Sequence, residues 1–410
     1  MSRQKAISKV PPRQQPASAE AAPPTPIPET EGAPAAAPST MDPGTTTDRA
    51  DAARQSALRS QREAREAFES GKEPPGWKDS RDRVHALANS LKHDLVDREF
   101  AIDGLLAAMI SRAGCVLLGP PGTAKSLLVR RIAERCDLRI GTDDANYFEY
   151  LLTAHTMPEE IFGPTDIGLL LQQPPLVRRV TAARLPHAEL AFLDEVFRGG
   201  SHILNTLLTI LNERKFHNGR QIEDVPLVSF IGAANQPPQT EDLKAFFDRF
   251  PVRIWVDSVL EVPPARQAER GLKLLQSDGR KAPEPKAAND RPSMSDFRKL
   301  WSVLRLKMSR ASDQVRLATA SSEAARLKEF TEHFKRFQAT GELSDRSFVQ
   351  LWYFAGALDM VAKREPDKGQ AEGATGHIEC FKYVAPSKQA LQAILQSLAT
   401  HAPRRAAAGA

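Results

Sequence analysis

The stretch that decides the fold is Gly119-Pro120-Pro121-Gly122-Thr123-Ala124-Lys125-Ser126-Leu127. It lies between the apolar run Cys115–Leu118 and a segment in which Leu127, Leu128, Ile132 and Ala133 recur at helical spacing. Apolar strand, glycine-bearing loop, then helix is the local order that a phosphate cradle requires. Backbone N–H groups of the loop and of the helix N-terminus point at an anion, the Lys125 ammonium reaches its outer oxygens, and the Ser126 hydroxyl is placed to ligate a divalent cation. One position departs from the usual pattern: Ala124 stands where glycine commonly precedes the lysine. A Cβ there is expected to need negative φ, as the opening of a helix would give it.

Downstream, Leu190-Ala-Phe-Leu-Asp-Glu195 is a buried-strand run that ends in two acids. At the C-terminal end of a strand, Asp194 is expected to hold magnesium through water, and Glu195 to orient and polarise an attacking water. Ile231-Gly-Ala-Ala-Asn235 closes another apolar run with an amide, and Asn235 is the candidate to hold that water against a γ-phosphate. Each pattern is common alone; their order and distance along one chain give them weight.

Between Cys115 and Asp257 short apolar runs alternate with helical patterns, at Cys115–Leu118, Tyr147–Leu152, Leu190–Leu193, Leu227–Ala233 and Val252–Val256. That alternation predicts an α/β domain whose parallel sheet is covered on both faces, over residues 77–262. Two helices precede it, one marked by Val84, Leu87, Leu91 and Leu95, the other running from about Phe100 to Ile110. After Pro263 helical patterns take over, at Ala265–Leu275, Met294–Leu304, Glu323–Phe337, Ser344–Val361 and Ser387–Leu398, predicting a smaller all-α domain over residues 263–400. A polar linker from Ser277 to Pro292 interrupts it, and residues 401–410 read as a flexible tail. Met1–Gly76 is rich in Ala, Pro, Ser and Thr with few large apolar side chains, and is expected to be disordered, with a transient helix around Ala50–Ser70.

Composition narrows the function classes. Lys and Arg total 56 against 51 Asp and Glu, a balance too slight to call for nucleic acid or an anionic membrane. Cys115, Cys136 and Cys380 form no C-x-x-C pair, so neither a disulfide framework nor a zinc ribbon is indicated. No apolar run approaches the roughly 18 residues of a membrane span and Met1–Gln15 lacks a signal-peptide core, so a cytoplasmic protein is expected. His377 and Cys380 are too few for a metal site. Trp301, Trp352, Tyr353 and Phe354 read as core, and Arg130-Arg131 and Arg178-Arg179 as solvated faces or subunit contacts.

With its three motifs in this order the chain resembles the AAA+ superfamily, and within it the MoxR family, closest to the RavA branch. Further stretches carry the resemblance: Phe148-Glu-Tyr-Leu-Leu152, Thr156-Met-Pro-Glu-Glu-Ile-Phe-Gly-Pro164, Leu204-Asn-Thr-Leu-Leu-Thr-Ile-Leu-Asn-Glu-Arg214 and Asp248-Arg-Phe250. It covers about Arg81 to Ala399. The likeness implies a P-loop ATPase that binds ATP and Mg2+ between copies of itself in a ring, usually a hexamer. Gly119 through Leu127 would hold the nucleotide, with Ser126 and Asp194 on the metal. Arg249 matches the arginine finger that reaches a neighbour's γ-phosphate, Arg253 being the next candidate. Thr156–Pro164 and Leu176–Leu185 look like a loop insertion, and the Asn-Gly signal in Phe216–Ile222 reads as a hairpin; in similar proteins both face the ring pore and touch a protein client. Ser344-Asp-Arg346 resembles the second sensor of the RavA branch. A cation in the first helical turn is disfavoured unless an anion lies near, and the triphosphate is the expected anion, with pairing to Asp345 the alternative for Arg346.

MoxR-like proteins often work with a partner that carries a von Willebrand factor A domain, so remodelling of such a protein is the leading expectation. RavA proteins continue past the lid into a further partner-binding domain, for which this sequence shows no counterpart. The alternatives are a slow nucleotide-dependent scaffold or switch, and a nucleic-acid-stimulated motor.

Overall fold

The computed structural model describes residues 43–142, 144–238, 240–256, 272, 290–315 and 344–361. Side chains of β1 (Cys115–Leu118) leave alternately in opposite directions, Cys115 and Leu117 into one apolar layer, Val116 and Leu118 into another, and all four are fully buried. A strand apolar on both faces belongs in the middle of a covered parallel sheet. After it come β2 (Tyr147–Leu151), β3 (Leu190–Asp194), a separate antiparallel hairpin of β4 (Lys215–Asn218) and β5 (Gln221–Asp224), then β6 (Ser229–Ala234) and β7 (Val252–Trp255). The five-stranded sheet has the order β2-β3-β6-β1-β7 and is parallel throughout. The hairpin turns on Gly219-Arg220 rather than on Asn218-Gly219, because Asn218 is still paired, opposite Gln221.

The helices are α1 (Pro43–Glu69), α2 (Trp77–Asp94), α3 (Glu99–Ser111), α4 (Lys125–Arg135), the short α5 (Pro158–Phe162) and α6 (Ile167–Leu170), α7 (Ser201–Glu213), α8 (Glu241–Phe247), α9 (Met294–Val315) and α10 (Asp345–Val361). On one side of the sheet α2, α3, α4, α9 and α10 share an apolar layer; on the other, α5, α7 and α8 do. α3 is apolar nearly all round because it lies between the sheet and α10. Both helices of the expected all-α region that the structure describes, α9 and α10, therefore sit in the same layer as α2 and α3. The expected helices Glu323–Phe337 and Ser387–Leu398, the helix Ala265–Leu275 apart from Leu272, and His377 and Cys380 lie outside the described residues. Cys115 and Cys136 are free and buried, and burial pushes both thiols up. Among the described residues no helix is long and apolar enough to cross a membrane.

The stretch 43–69, expected within a disordered tail, is instead a 27-residue helix. Its sequence offers little to a core: among the described residues Ala50, Ala57 and Leu58 are its buried apolar side chains. What holds it is tertiary. Ser302 of α9 donates to the Ala64 carbonyl at 2.5 Å, and the Arg305 guanidinium lies 4.0 Å over the Phe68 ring. Most helical stability in proteins comes from such packing rather than from propensity, so a weakly amphipathic sequence can be well ordered. Residues 1–42 lie outside the described residues.

α9 is pinned to α2 at its first turn. Asp296 accepts from Ser80 Oγ at 2.7 Å, from Arg83 Nη2 at 2.5 Å and from the Ser293 N–H at 2.8 Å. Burial alone would raise the Asp296 pKa, but the bonds from Arg83, Ser80 and Ser293 outweigh it and hold the carboxyl below its ordinary range. A depressed carboxylate stabilises the fold above its unfolded pKa, and that contribution is lost as pH falls through the folded value. Asp296→Asn is therefore expected to destabilise the protein by about 1–3 kcal/mol near neutral pH and to flatten the acid limb of stability, measured as denaturant midpoint against pH.

At the opening of α4, Ala124 has φ 66°, in the left-handed region, so the expectation of negative φ is corrected. The loop keeps the conformation that glycine would have allowed, and the alanine Cβ bears the strain. Ala124→Gly is expected to stabilise the fold by ~0.5–1 kcal/mol after the entropy of the unfolded glycine is set against that relief, seen as a raised midpoint with unchanged slope.

Candidate functional site

The strand order places the C-terminal ends of β3, β6 and β1 side by side, with β1 running into the loop Gly119–Ala124 and α4. Gly119 has φ 145°, and a Cβ built on it would stand 2.2 Å from the Val256 carbonyl oxygen, so only glycine lets the loop leave β1 this close to the end of β7. Thr123 Oγ1 donates to the Pro120 carbonyl at 2.9 Å, and Arg98, which precedes α3, donates from Nη2 to the Thr123 carbonyl at 3.2 Å. The loop is thus braced from inside and from α3. Gly122 is exposed, as is Leu127 at 42%; Lys125 is buried at 7%.

Lys125 Nζ donates to the carbonyls of Gly119 at 2.7 Å and Pro120 at 2.9 Å, and lies 3.3 Å from Asn235 Oδ1. Burial lowers the Lys125 pKa, while the charges of Asp194 and Glu195 act the other way without cancelling it. Ser126 Oγ donates to Asp194 Oδ2 at 2.7 Å, and Asp194 Oδ1 accepts the Glu195 N–H at 2.9 Å. Asn235 Nδ2 donates to Glu195 Oε1 at 2.8 Å, while Arg198 Nε stands 3.3 Å from Glu195 Oε2. Glu195 itself is left-handed, φ 51°, a conformation sparsely used by residues other than glycine and often kept where a side chain must be aimed. Lys125, Ser126, Asp194, Glu195 and Asn235 therefore form one connected set, drawn from the start of α4 and the ends of β3 and β6. Arg198 joins it through Glu195 and Arg98 braces the adjoining loop, and both escaped the sequence reading. Arg98 carries no local signal; Arg198 sits three residues after Glu195 on a short 3-10 turn, a spacing at which an ion pair forms readily.

The donor set suits a hard cation. Ser126 Oγ and Asp194 Oδ2 are oxygen atoms within 2.7 Å of each other, and a magnesium site built from one or two protein oxygens completed by phosphate and water needs no more. Among the described residues no three His, Cys, Asp or Glu side chains gather as a metal cage.

The remaining candidates lie elsewhere. Arg249, after α8, is 28% exposed, has Nη1 3.2 Å from Asp248 Oδ2, and its Nε has no hydrogen-bond partner. Arg253 is 2% exposed, donates from Nε to the Phe250 carbonyl and lies 3.8 Å over the Phe247 ring, so it has no path to a neighbouring molecule. Arg346 donates from Nη1 to Asn212 Oδ1 at 2.7 Å. Burial lowers its pKa, the like charge of Arg249 adds to this, and Asp248 opposes it. At the start of α10, Asp248 Oδ1 accepts from the Ser344 N–H at 3.0 Å and from Ser347 Oγ at 2.9 Å, so a carboxylate already caps this helix within one copy. Arg346 is thereby grouped with Arg249.

Trp301 and Tyr353 meet edge to face at 4.9 Å, and Phe354 is buried, as core residues do. Arg130 pairs with Glu149, Arg131 with Glu134, Arg178 with Glu223 and Arg179 with Glu159. Guanidiniums already matched by carboxylates make a poor nucleic-acid groove.

Residues 82–289, about half of the chain, match the family described as the MoxR domain in the MoxR-vWA-beta-propeller ternary systems. Two uncharacterized proteins of Methanocaldococcus jannaschii are similar, at 41% identity over 196 residues and 37% over 254 residues, which is 48% and 62% of this chain. The chain spans less than two thirds of their length, 48% and 63%. A structural protein of Acidianus two-tailed virus is 30% identical over 180 residues, covering 43% of this chain and 28% of that protein. A crystal structure from Cytophaga hutchinsonii aligns with TM-score 0.49 and 16% identity over 78% of this chain and 96% of that one. On the family match and the arrangement it falls on, the chain belongs to the MoxR family of AAA+ proteins.

Proposed function

We propose that this chain binds Mg·ATP in the Gly119–Leu127 cradle and hydrolyses it at the interface between two copies of itself. The observation that carries the reading is the contact set Lys125–Asn235–Glu195 and Ser126–Asp194, five polar side chains from the start of α4 and the ends of β3 and β6 meeting beside a glycine loop. Lys125 would bind phosphate oxygens in place of its loop carbonyls, and Ser126 and Asp194 are the residues that would hold the cation. Magnesium, when bound, supplies charge neutralisation across the phosphates. Glu195 accepts a proton from a water held by Asn235; that water's oxygen bonds to the γ-phosphorus as the bridging P–O bond breaks, releasing ADP and phosphate.

Arg249 serves as the finger, with its unsatisfied Nε, partial exposure and weak local partner Asp248. Arg346, beside it, addresses the same phosphate of the neighbouring copy. A ring follows from a site completed by another copy, and six is the number that the family resemblance favours. Within the family the Ser344-Asp-Arg346 string supports placement nearest the RavA branch.

Remodelling of a protein partner is the role favoured for the assembly. The family description names systems that combine MoxR, vWA and β-propeller components, which supports a partner bearing a von Willebrand factor A domain. One observation favours a slower device, a nucleotide-timed scaffold: both Glu195 oxygens are occupied, one by Asn235 and one by Arg198, so the base rests capped. Acceleration by the partner separates the two, since a remodeller is stimulated several-fold and a timer is not.

Glu195→Gln is expected to retain ATP binding and lower kcat by at least about 100-fold, measured by phosphate release; turnover at the parent rate would remove Glu195 from the base role. Arg249→Ala is expected to bind ATP as the parent does and lose roughly 1000-fold in kcat. In mixed assemblies with Glu195→Gln, activity should return only at interfaces that pair an intact finger with an intact base.

A further inference from the structure

Glu223, on β5, is the point at which three elements distant in sequence are held by a single carboxylate. Its Oε2 lies 3.1 Å from Arg54 Nη1 on α1; its Oε1 accepts from Arg178 Nη2 at 3.1 Å and from Asn218 Nδ2 of β4 at 2.9 Å. The Arg54 and Glu223 side chains are 11% and 10% exposed, so this is a shielded pair and not a surface one. Arg54 Nη2 also donates to the Asp224 carbonyl at 2.7 Å.

Around this point the segment 165–180 and the hairpin form one body. Asn218 copies a strand pairing, accepting the Arg179 N–H at 2.7 Å and donating to the Arg179 carbonyl at 3.2 Å. Gly219, φ 65°, lies so close to the Val177 carbonyl oxygen that a Cβ on it would approach to 1.9 Å. The segment is itself tied, with Thr165 bridged to Arg179 and the Asp166 N–H donating to the Arg178 carbonyl at 2.7 Å. From Arg54 the same helix continues to α9, where Ala64 and Phe68 meet Ser302 and Arg305. α9 in turn is locked to the core by Arg298, which pairs with Glu189 at 2.7 Å and donates to the Pro226 carbonyl at 2.8 Å.

We propose that α1 is a transmission rod: through Glu223 it joins the insert–hairpin body to α9, so that displacement of one is felt by the other. A helix of this length spans roughly 40 Å as a stiff unit, and a shielded ion pair with further hydrogen bonds grips far more firmly than an exposed one. The mechanical claim stands on the contacts alone; that the rod carries nucleotide-driven motion to a client rests on the function proposed above.

Amide hydrogen exchange on the full chain, followed by mass spectrometry, tests it. Glu223→Gln, nearly isosteric and outside the phosphate site, is expected to speed exchange about ten-fold or more in peptides from 43–69 and from 165–180 together. Phe68→Ala, at the far end of the rod, is expected to speed exchange in 165–180 although it touches nothing there. Faster exchange confined to 165–180 and 215–224 in the first variant, or an unchanged 165–180 in the second, overturns the proposal. Titration with Mg·ATP runs alongside: exchange coupling without ATP binding refutes the nucleotide reading and leaves the rod, whereas ATP binding with independent exchange refutes the rod alone.

Discussion

A triphosphate brings concentrated negative charge into a protein, and the donors that meet it must already be in place. Here that constraint falls on the adjacency of β3, β6 and β1. Parallel pairing sets Leu118 opposite Ala234 and Leu193 opposite Gly232, so the acids that end β3 and the amide that follows β6 arrive at the level where β1 gives way to the loop. The end of β3 reaches twice, Asp194 to Ser126 and Glu195 to Asn235, and Asn235 after β6 reaches Lys125 at the start of α4. A slip of one residue in any strand would turn those side chains to the opposite face. The two apolar layers that clamp the sheet therefore act on the chemistry directly, by fixing register.

A second grouping, on other elements, has a different character. Arg249 and Arg346 carry like charges that oppose each other, with Asp248 linking the start of α10 to Arg249. Two cations held together at partial exposure are poorly satisfied within one copy, and an anion from outside would relieve them. The phosphate site is self-consistent within a copy, and the arginine pair is not. That asymmetry makes an interface-completed site the natural reading of this chain.

What could be read from sequence follows the reach of the signal. The inner strands of the sheet, β3, β6 and β1, announce themselves as apolar runs because both of their faces are buried, and the phosphate loop is a continuous string flanked by the right elements. The hairpin was legible, but its turn lies one residue later than the Asn-Gly signal, since Asn218 is engaged by Arg179, 39 residues earlier in the chain. Ala124 shows a side-chain rule overruled by the loop it sits in. α1 was legible only as a transient helix around Ala50–Ser70, because the contacts that order it are with α9 and β5, which local hydrophobicity does not register. Distant polar partners could be read where each sat in a recognisable motif, as Ser126, Asp194 and Asn235 do; those outside any motif, such as Arg54 with Glu223 or Ser302 with Ala64, left no trace in the pattern.

The account rests on a nucleotide occupying the Gly119–Leu127 loop with its cation on Ser126 and Asp194. Calorimetric titration of the full chain with ATP in the presence of magnesium addresses it most directly. Saturable binding that weakens on chelation of the metal and vanishes in Lys125→Ala is the predicted result; no binding by the parent, or equal binding by Lys125→Ala, would contradict it.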